Sequence, residues 1–248
     1  MRLNCVDVKV KDHLALWALG DIHFGSRECD VNKFEKYLGW AKENKDVRIL
    51  LMGDLINSGT RASIGAGTYD DEYNPQEQYE IMLDYLKPIK KKIIGAHIGN
   101  HETRIRDLSS FDVTKMMCRE LKVPYLGYSA LTKLRVNKNN YIVYSTHGNT
   151  GASTVSGKLN KCMKQQEIAD ADIYLYGHTH GLTNDLQTVY KANIKNKVLE
   201  EKERHFVLTG SFVKWDGSYG EMKNYPLLKT GAPKIDLSGK KWDINVRL

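Results

Sequence analysis

Seven side chains able to ligate a metal ion, Asp21, His23, Asp54, Asn100, His147, His178 and His180, stand at or just past the end of a short apolar run. The runs are LALWAL (14–19), VRILLM (47–52), IIGAHI (93–98), YIVYST (141–146) and DIYLY (172–176), and a glycine, Gly20, Gly53, Gly99 or Gly177, follows four of them. One Asp after a glycine is ordinarily a turn residue. Five turns that each carry a ligand, all expected at one edge of one sheet, require a common explanation. Mixed Asp, His and Asn donors suit Mn²⁺, Fe²⁺ or Zn²⁺, whereas all-oxygen cages suit Mg²⁺ or Ca²⁺. Seven ligands are more than one ion needs while it keeps an open position. Two ions sharing one carboxylate would use all seven, and such pairs clamp the attacking and leaving oxygens in phosphoester displacement.

The segment GNHETRIRDL (99–108) adds an imidazole, His101, and two guanidinium groups, Arg104 and Arg106. Guanidinium matches phosphate bidentately, so both arginines, and Arg61 after the Asp54 turn, are candidate substrate contacts. Lys158, Lys161 and Lys164 recur at every third residue of SGKLNKCMKQQ (156–166). A helix there, with its N-terminus toward the site, would attract a phosphate chain through Lys158 and Lys161.

The elements that must hold these groups can be read from the same runs. Near-continuous apolar runs of this length predict strands buried on both faces, here including HFVLT (205–209). Between them, stretches near 31–44, 75–91, 112–121 and 158–169 have helical character, with Asn74-Pro75 reading as a cap and first-turn proline. Asp112 or Ser110 could cap the third. Strands alternating with helices point to an α/β fold, in which ligands bind beyond the carboxyl ends of the strands. From residue 182 the pattern becomes polar and alternating around NIKNK, predicting an antiparallel hairpin. The tail YPLLKTGAPKIDL reads as an extended strap over the surface, and GTRASIGAGTYDDEYNP (59–75) as a loop.

The chain has 248 residues with no break in composition, and we read 1–248 as one domain, its ligand blocks within 20–180 and a hairpin and strap over 182–248. Four scattered cysteines, Cys5, Cys29, Cys118 and Cys162, form no CxxC pair and suit a reducing compartment. With no membrane-length apolar run and no signal-like N-terminus, the expected location is cytoplasmic, without membrane contact. A net charge of +7 favours polyanionic partners.

The blocks GDIH (20–23), GDLIN (53–57), GNHE (99–102), THG (146–148) and GHTH (177–180), in this order, resemble the calcineurin-like metallophosphoesterases, and compact bacterial and phage members in particular. The resemblance implies an α/β fold, a four-layer αββα sandwich with a dinuclear metal centre at the C-terminal strand edges. It implies that Asp21, His23 and His180 bind one ion, that Asn100, His147 and His178 bind the other, and that Asp54 bridges. His101 would protonate the leaving oxygen or position the scissile phosphate, and Asn57 and Arg104 join it as candidate catalytic residues. Two divalent ions are implied, Mn²⁺ first and Fe²⁺, Zn²⁺ or Ni²⁺ as alternatives. One departure stands out. Many members read GDxxD in the second block, with the second Asp orienting the catalytic histidine, and here Asn57 takes its place. An amide can orient an imidazole but does not stabilise its cation as a carboxylate does. Glu102 is a candidate substitute.

The chain is too short for a large capping domain, and the second block continues NSG where protein phosphatases read DRG. An open site beside a basic surface leads us to expect a phosphodiesterase acting on nucleic acid or nucleotides, a nuclease in its favoured form. Tyr69, Tyr73 and Tyr79 could stack on bases. A phosphomonoesterase for protein or small metabolites is the alternative, and a non-catalytic scaffold on the same fold is the second.

Overall fold

Successive residues of the first long strand, β2 (His13–Leu19), belong to two different cores. Ala15, Trp17 and Leu19 face one way, and Leu14, Leu16 and Ala18 the other. This is the period of two that pleating imposes, and burial of both faces is why the run is apolar throughout. The computed structural model describes residues 2–8, 10, 12–60, 63 and 71–248. Arg61 and Tyr69 lie outside the described residues.

Strand β2 lies in a six-stranded sheet with β3 (Val47–Leu51), β4 (Ile93–His97), β5 (Tyr125–Gly127), β11 (Lys234–Ser238) and β12 (Ile244–Arg247). Its order is β12-β11-β2-β3-β4-β5, with β2 to β5 parallel. The second sheet contains β1 (Arg2–Val8), β6 (Ser129–Val136), β7 (Asn139–Thr146), β8 (Ile173–Tyr176), β9 (Leu182–Asn193) and β10 (Val198–Thr209), in the order β1-β6-β7-β8-β10-β9. The inner faces meet in one core, where Leu14, Leu16, Leu50 and Met52 pack with Leu134, Tyr141, Val143, Leu175 and Val207.

Helices α1 (Val31–Glu43), α2 (Pro75–Leu86) and α4 (Val113–Leu121) cover the outer face of the first sheet through Phe34, Leu38, Met82, Leu86, Met117 and Leu121. Helix α5 (Val155–Met163) covers the other sheet at Tyr174, Phe206 and Leu208. The result is the expected four-layer αββα sandwich. No described helix is long and apolar enough to cross a membrane.

The caps follow the sequence. Asn74 accepts from the backbone of Gln76 and Glu77, Glu77 reaches back to the Asn74 N–H, and Asp112 caps α4. Three boundaries differ. The helix expected over 75–91 ends at Leu86 and continues as a 3₁₀ turn, Lys87–Lys92, because Pro88 has no N–H to donate. The helix expected from 158 starts at Val155, with Thr154 accepting from Gly157 N at 3.1 Å. Lys234–Ser238, read as part of a surface strap, is an interior strand between β12 and β2 with Ile235 and Leu237 fully buried.

Candidate metal centre

The expectation that all five ligand-bearing turns lie at one edge of one sheet is corrected here. The turns after β2, β3 and β4 come from the first sheet, and those after β7 and β8 from the second. The centre therefore sits across the seam of the sandwich, and packing of the two sheets is what brings its halves together.

The local backbone is held in costly conformations. Asp21, His23, Asp54, His178 and His180 all have positive φ, between 48° and 63°. A left-handed conformation costs an L-residue roughly 1–2 kcal/mol, and such outliers cluster where side chains are aimed for function. Two glycines let the first-sheet turns close on one another. A Cβ on Gly99 would collide with Asp54 Oδ1, and one on Gly53, itself at φ 91°, would stand 2.7 Å from Gly99 N.

The side chains converge. Nε2 of His23 and Nε2 of His180 are 3.1 Å apart, and the latter lies 3.5 Å from Asp21 Oδ1. Asp54 Oδ2 is 3.3 Å from His147 Nε2, 3.7 Å from His23 Nε2 and 3.9 Å from His101 Nε2. Asn100 Oδ1 faces His147 Nε2 at 2.9 Å and His178 Nδ1 at 2.7 Å. Backbone N–H groups aim the carboxylates: His101 N donates to Asp54 Oδ1 at 2.8 Å and His178 N to Asp21 Oδ2 at 3.0 Å.

These residues fit divalent cations. Asp21 Oδ1 is buried without a hydrogen-bond partner, an expensive state for a carboxylate oxygen. The Nε2 atoms of His23 and His180, 3.1 Å apart, would both offer lone pairs to a shared cation. Three groups offer ligand atoms within 4.8 Å of one another: Asp21, His23 and His180; Asp54, His147 and His178; and His23, Asp54 and His101. Electrostatics points the same way. Burial pushes the Asp21 carboxyl up to about 8, and Asp54 and Glu102 nearby add to the rise. Burial also drives His23 down to about 3 and holds His180 well below its usual range. His147 goes the other way: burial opposes its charge, but Asp54 outweighs it and lifts the ring to about 10. Asp54 would be raised by burial, yet the histidines around it keep its carboxyl well below the usual range.

Residues 14–182, well over half of the chain, match the family model of the calcineurin-like phosphoesterases. The chain belongs to that family. This phosphoesterase is accordingly a metal-dependent hydrolase of phosphoester bonds. No curated protein matches its sequence. Among solved structures it is similar to the crystal structure of a hypothetical protein from Thermus thermophilus, with 11% identity over 94% of this chain and 98% of that one. The TM-score between the two is 0.42.

Around the phosphoesterase centre, several assignments change. Asn57 was expected to orient His101 with its amide. Instead its backbone carbonyl accepts from His101 Nδ1 at 2.6 Å, while its side chain contacts His23 Nδ1 at 3.3 Å and donates to Asp71 at 2.6 Å. Glu102 does not replace a carboxylate beside His101. It is buried and accepts from the backbone N–H groups of Asp54, Leu55, Ile56 and Gly99 at 2.6–3.3 Å. Arg104 lies 3.1–3.2 Å from both ring nitrogens of His101. Arg106 is engaged elsewhere, with Asp107 at 3.0 Å and Tyr128 Oη at 2.6 Å.

The two lysines of α5 differ in exposure: Lys161 is exposed and Lys158 is buried, and burial first, with Lys158 among the lesser nearby charges, disfavours protonation of His178 and His180. Tyr73 stacks on Phe24, and Tyr79 donates to Glu120. Sequence reasoning missed Asp71 and Gln78. Gln78 is buried, accepts from Ser58 N at 2.9 Å and donates to Asp71 at 2.9 Å. Neither lies in a block with ligand spacing, so only the folded loop reveals them.

Proposed function

We propose that this phosphoesterase binds two divalent cations and hydrolyses phosphodiester bonds of nucleic acid or nucleotides. One observation carries the dinuclear reading: Asp54 lies between two ligand groups, within 3.7 Å of His23 on one side and 3.3 Å of His147 on the other. Asp21, His23 and His180 would hold one cation, Asn100, His147 and His178 the other, and Asp54 both. When bound, such cations supply Lewis acidity toward phosphoryl oxygens and make water nucleophilic at neutral pH.

The chain's own residues do the rest. The Asn57 carbonyl holds the Nδ1 proton of His101, so Nε2 is the nitrogen turned toward the centre. Burial, with Arg104 adding to it, pushes His101 down to about 4, so the resting ring is neutral. A substrate phosphate beside His101 and Arg104 supplies the negative charge that favours protonation at Nε2. That proton then passes to the leaving oxygen, which is the usual work of a general acid. Arg104, half-buried and free of any carboxylate partner closer than His101 among its described contacts, binds the non-bridging oxygens. The +7 charge and Lys158, which has no described anionic partner, favour a substrate with further phosphates.

The test is a panel under Mn²⁺: bis-p-nitrophenyl phosphate, single- and double-stranded DNA, RNA, cyclic nucleotides, p-nitrophenyl phosphate and a phosphopeptide. Turnover is expected on the diesters, and Asp54→Asn is expected to abolish it together with metal retention. Activity confined to monoesters would replace the diesterase reading. No turnover with Mn²⁺, Ni²⁺, Zn²⁺ or Fe²⁺ would leave only the scaffold.

A further inference from the structure

We infer that Asp71 is a positioning residue for the metal centre, acting through Asn57 to fix which nitrogen of His23 is left to bind a cation; the inference rests on the metal-centre reading above. The chain of contacts is short. Asp71 Oδ1 is 2.6 Å from Asn57 Nδ2, and Asn57 Oδ1 is 3.3 Å from His23 Nδ1. The other Asp71 oxygen accepts from Gly59 N and from Gln78 Nε2, each at 2.9 Å. The backbone is held too, because Asp71 bridges Ser26, three residues beyond His23, and Glu72 N donates to Gly25 O at 2.8 Å.

What each group can donate fixes the direction of every contact in this chain. An ionised carboxylate only accepts. The Asn57 side chain must therefore present its NH₂ to Asp71 and its carbonyl oxygen to His23. A carbonyl oxygen only accepts, so the proton of the His23 ring sits on Nδ1. Nε2 is left with its lone pair, and it is Nε2 that lies 3.1 Å from His180 Nε2 and 3.7 Å from Asp54 Oδ2. The outer partner of a ligating histidine sets its tautomer and orientation, and losing that partner typically costs about 10–100-fold in metal affinity. Asp71 thus acts from one step outward, through the Asn57 amide, on a ligand of the metal.

This assignment reverses a simple expectation. Restoring the common carboxylate by Asn57→Asp would put two acceptors 2.6 Å apart and leave no donor between them. Exchanging both residues, Asn57→Asp with Asp71→Asn, restores every pairing. The new amide NH₂ faces the new carboxylate, and its oxygen still accepts from Gly59 and Gln78.

Two measurements on the wild type, Asn57→Asp and the double exchange test it: Mn²⁺ titration, and the ¹⁵N spectrum of labelled histidine in the metal-free protein. Asn57→Asp should weaken the tighter-affected Mn²⁺ site about 10–100-fold, and the double exchange should return it to within about threefold of wild type. His23 should show a protonated Nδ1 in the wild type and in the double exchange. Asn57→Asp binding as well as wild type, a double exchange no better than Asn57→Asp, or a wild-type His23 protonated on Nε2 would each overturn the inference. If Asn57→Asp does not fold, rescue of folding by Asp71→Asn replaces the titration, and absence of rescue counts against it. Neither readout uses a substrate, so failure of the diesterase reading leaves this result standing and is separately visible.

Discussion

His101 and Glu102 are neighbours in sequence with opposite duties, and each can be tested alone. His101 lies within ligand distance of Asp54 and also beside Arg104. If it moves a proton rather than binding metal, His101→Ala should lower kcat by about 100-fold or more with metal content unchanged. Loss of metal in that variant would make His101 a ligand. Glu102 never reaches the chemistry. Its two oxygens gather four backbone N–H groups from the Asp54 turn and from Gly99. Burial and the nearby Asp54 raise its carboxyl to about 7 in spite of those donors. Glu102→Gln points an NH₂ at donors that need an acceptor, which costs about 2 kcal/mol. For a chain of this length that is a fall of roughly 4–8 °C in Tm, read by thermal unfolding. An unchanged Tm would mean that the turn holds itself.

At the level of elements, legibility tracked the pattern of burial. Strands β2, β3, β4 and β8 are buried on both faces, so they stand out as continuous apolar runs with the ligands just beyond. Strand β11, no shorter than β3 or β4, was hidden because Lys234 and Ser238 are half-exposed at its ends and Asp236 interrupts its two apolar residues. Helix α3 (Asn100–Ser109) was hidden for a different reason: Glu102 is its one fully buried side chain, so it has no apolar stripe to betray a period of 3.6. Helix α5 shows what spacing alone misses. Lys158 and Lys161 are three apart, yet Lys161 is exposed while Lys158 is buried and, after burial itself and stronger charges, is among the groups that disfavour protonation of His178 and His180. Lys158→Met keeps the packed stem and removes the charge. It should raise KM for a single-stranded oligonucleotide several-fold, shallow its salt slope by about one phosphate contact, and barely change KM for bis-p-nitrophenyl phosphate. Equal effects on both substrates would argue against a second phosphate at this helix.

On the scale of the whole molecule, the site exists only while the two sheets stay in register, and a histidine that binds no ligand helps hold them. His97, at the end of β4, is fully buried with Nδ1 3.0 Å from Gly127 O and Nε2 2.8 Å from Ser145 Oγ on β7 of the opposite sheet. Nδ1 donates to the carbonyl, and Nε2 pairs with the Ser145 hydroxyl, which can donate to a neutral ring. Burial, with His147 adding to it, holds its pKa down to about 4 against an ordinary 6.5. The unfolded chain therefore takes up this proton at higher pH than the native protein does. Stability from the neutral ring is complete above about pH 6.5 and is lost as pH falls through the window toward 4. The loss from this group between about pH 7 and pH 5 is about 2 kcal/mol. His97→Asn keeps a donor for Gly127 but cannot titrate, so it should be less stable than wild type at about pH 7, with the gap narrowing by about that amount near pH 5. Urea midpoints of the two proteins across this range make the measurement, and acid loss of metal, common to both, cancels in the difference. Parallel curves would mean that the seam between the sheets does not depend on the protonation of His97.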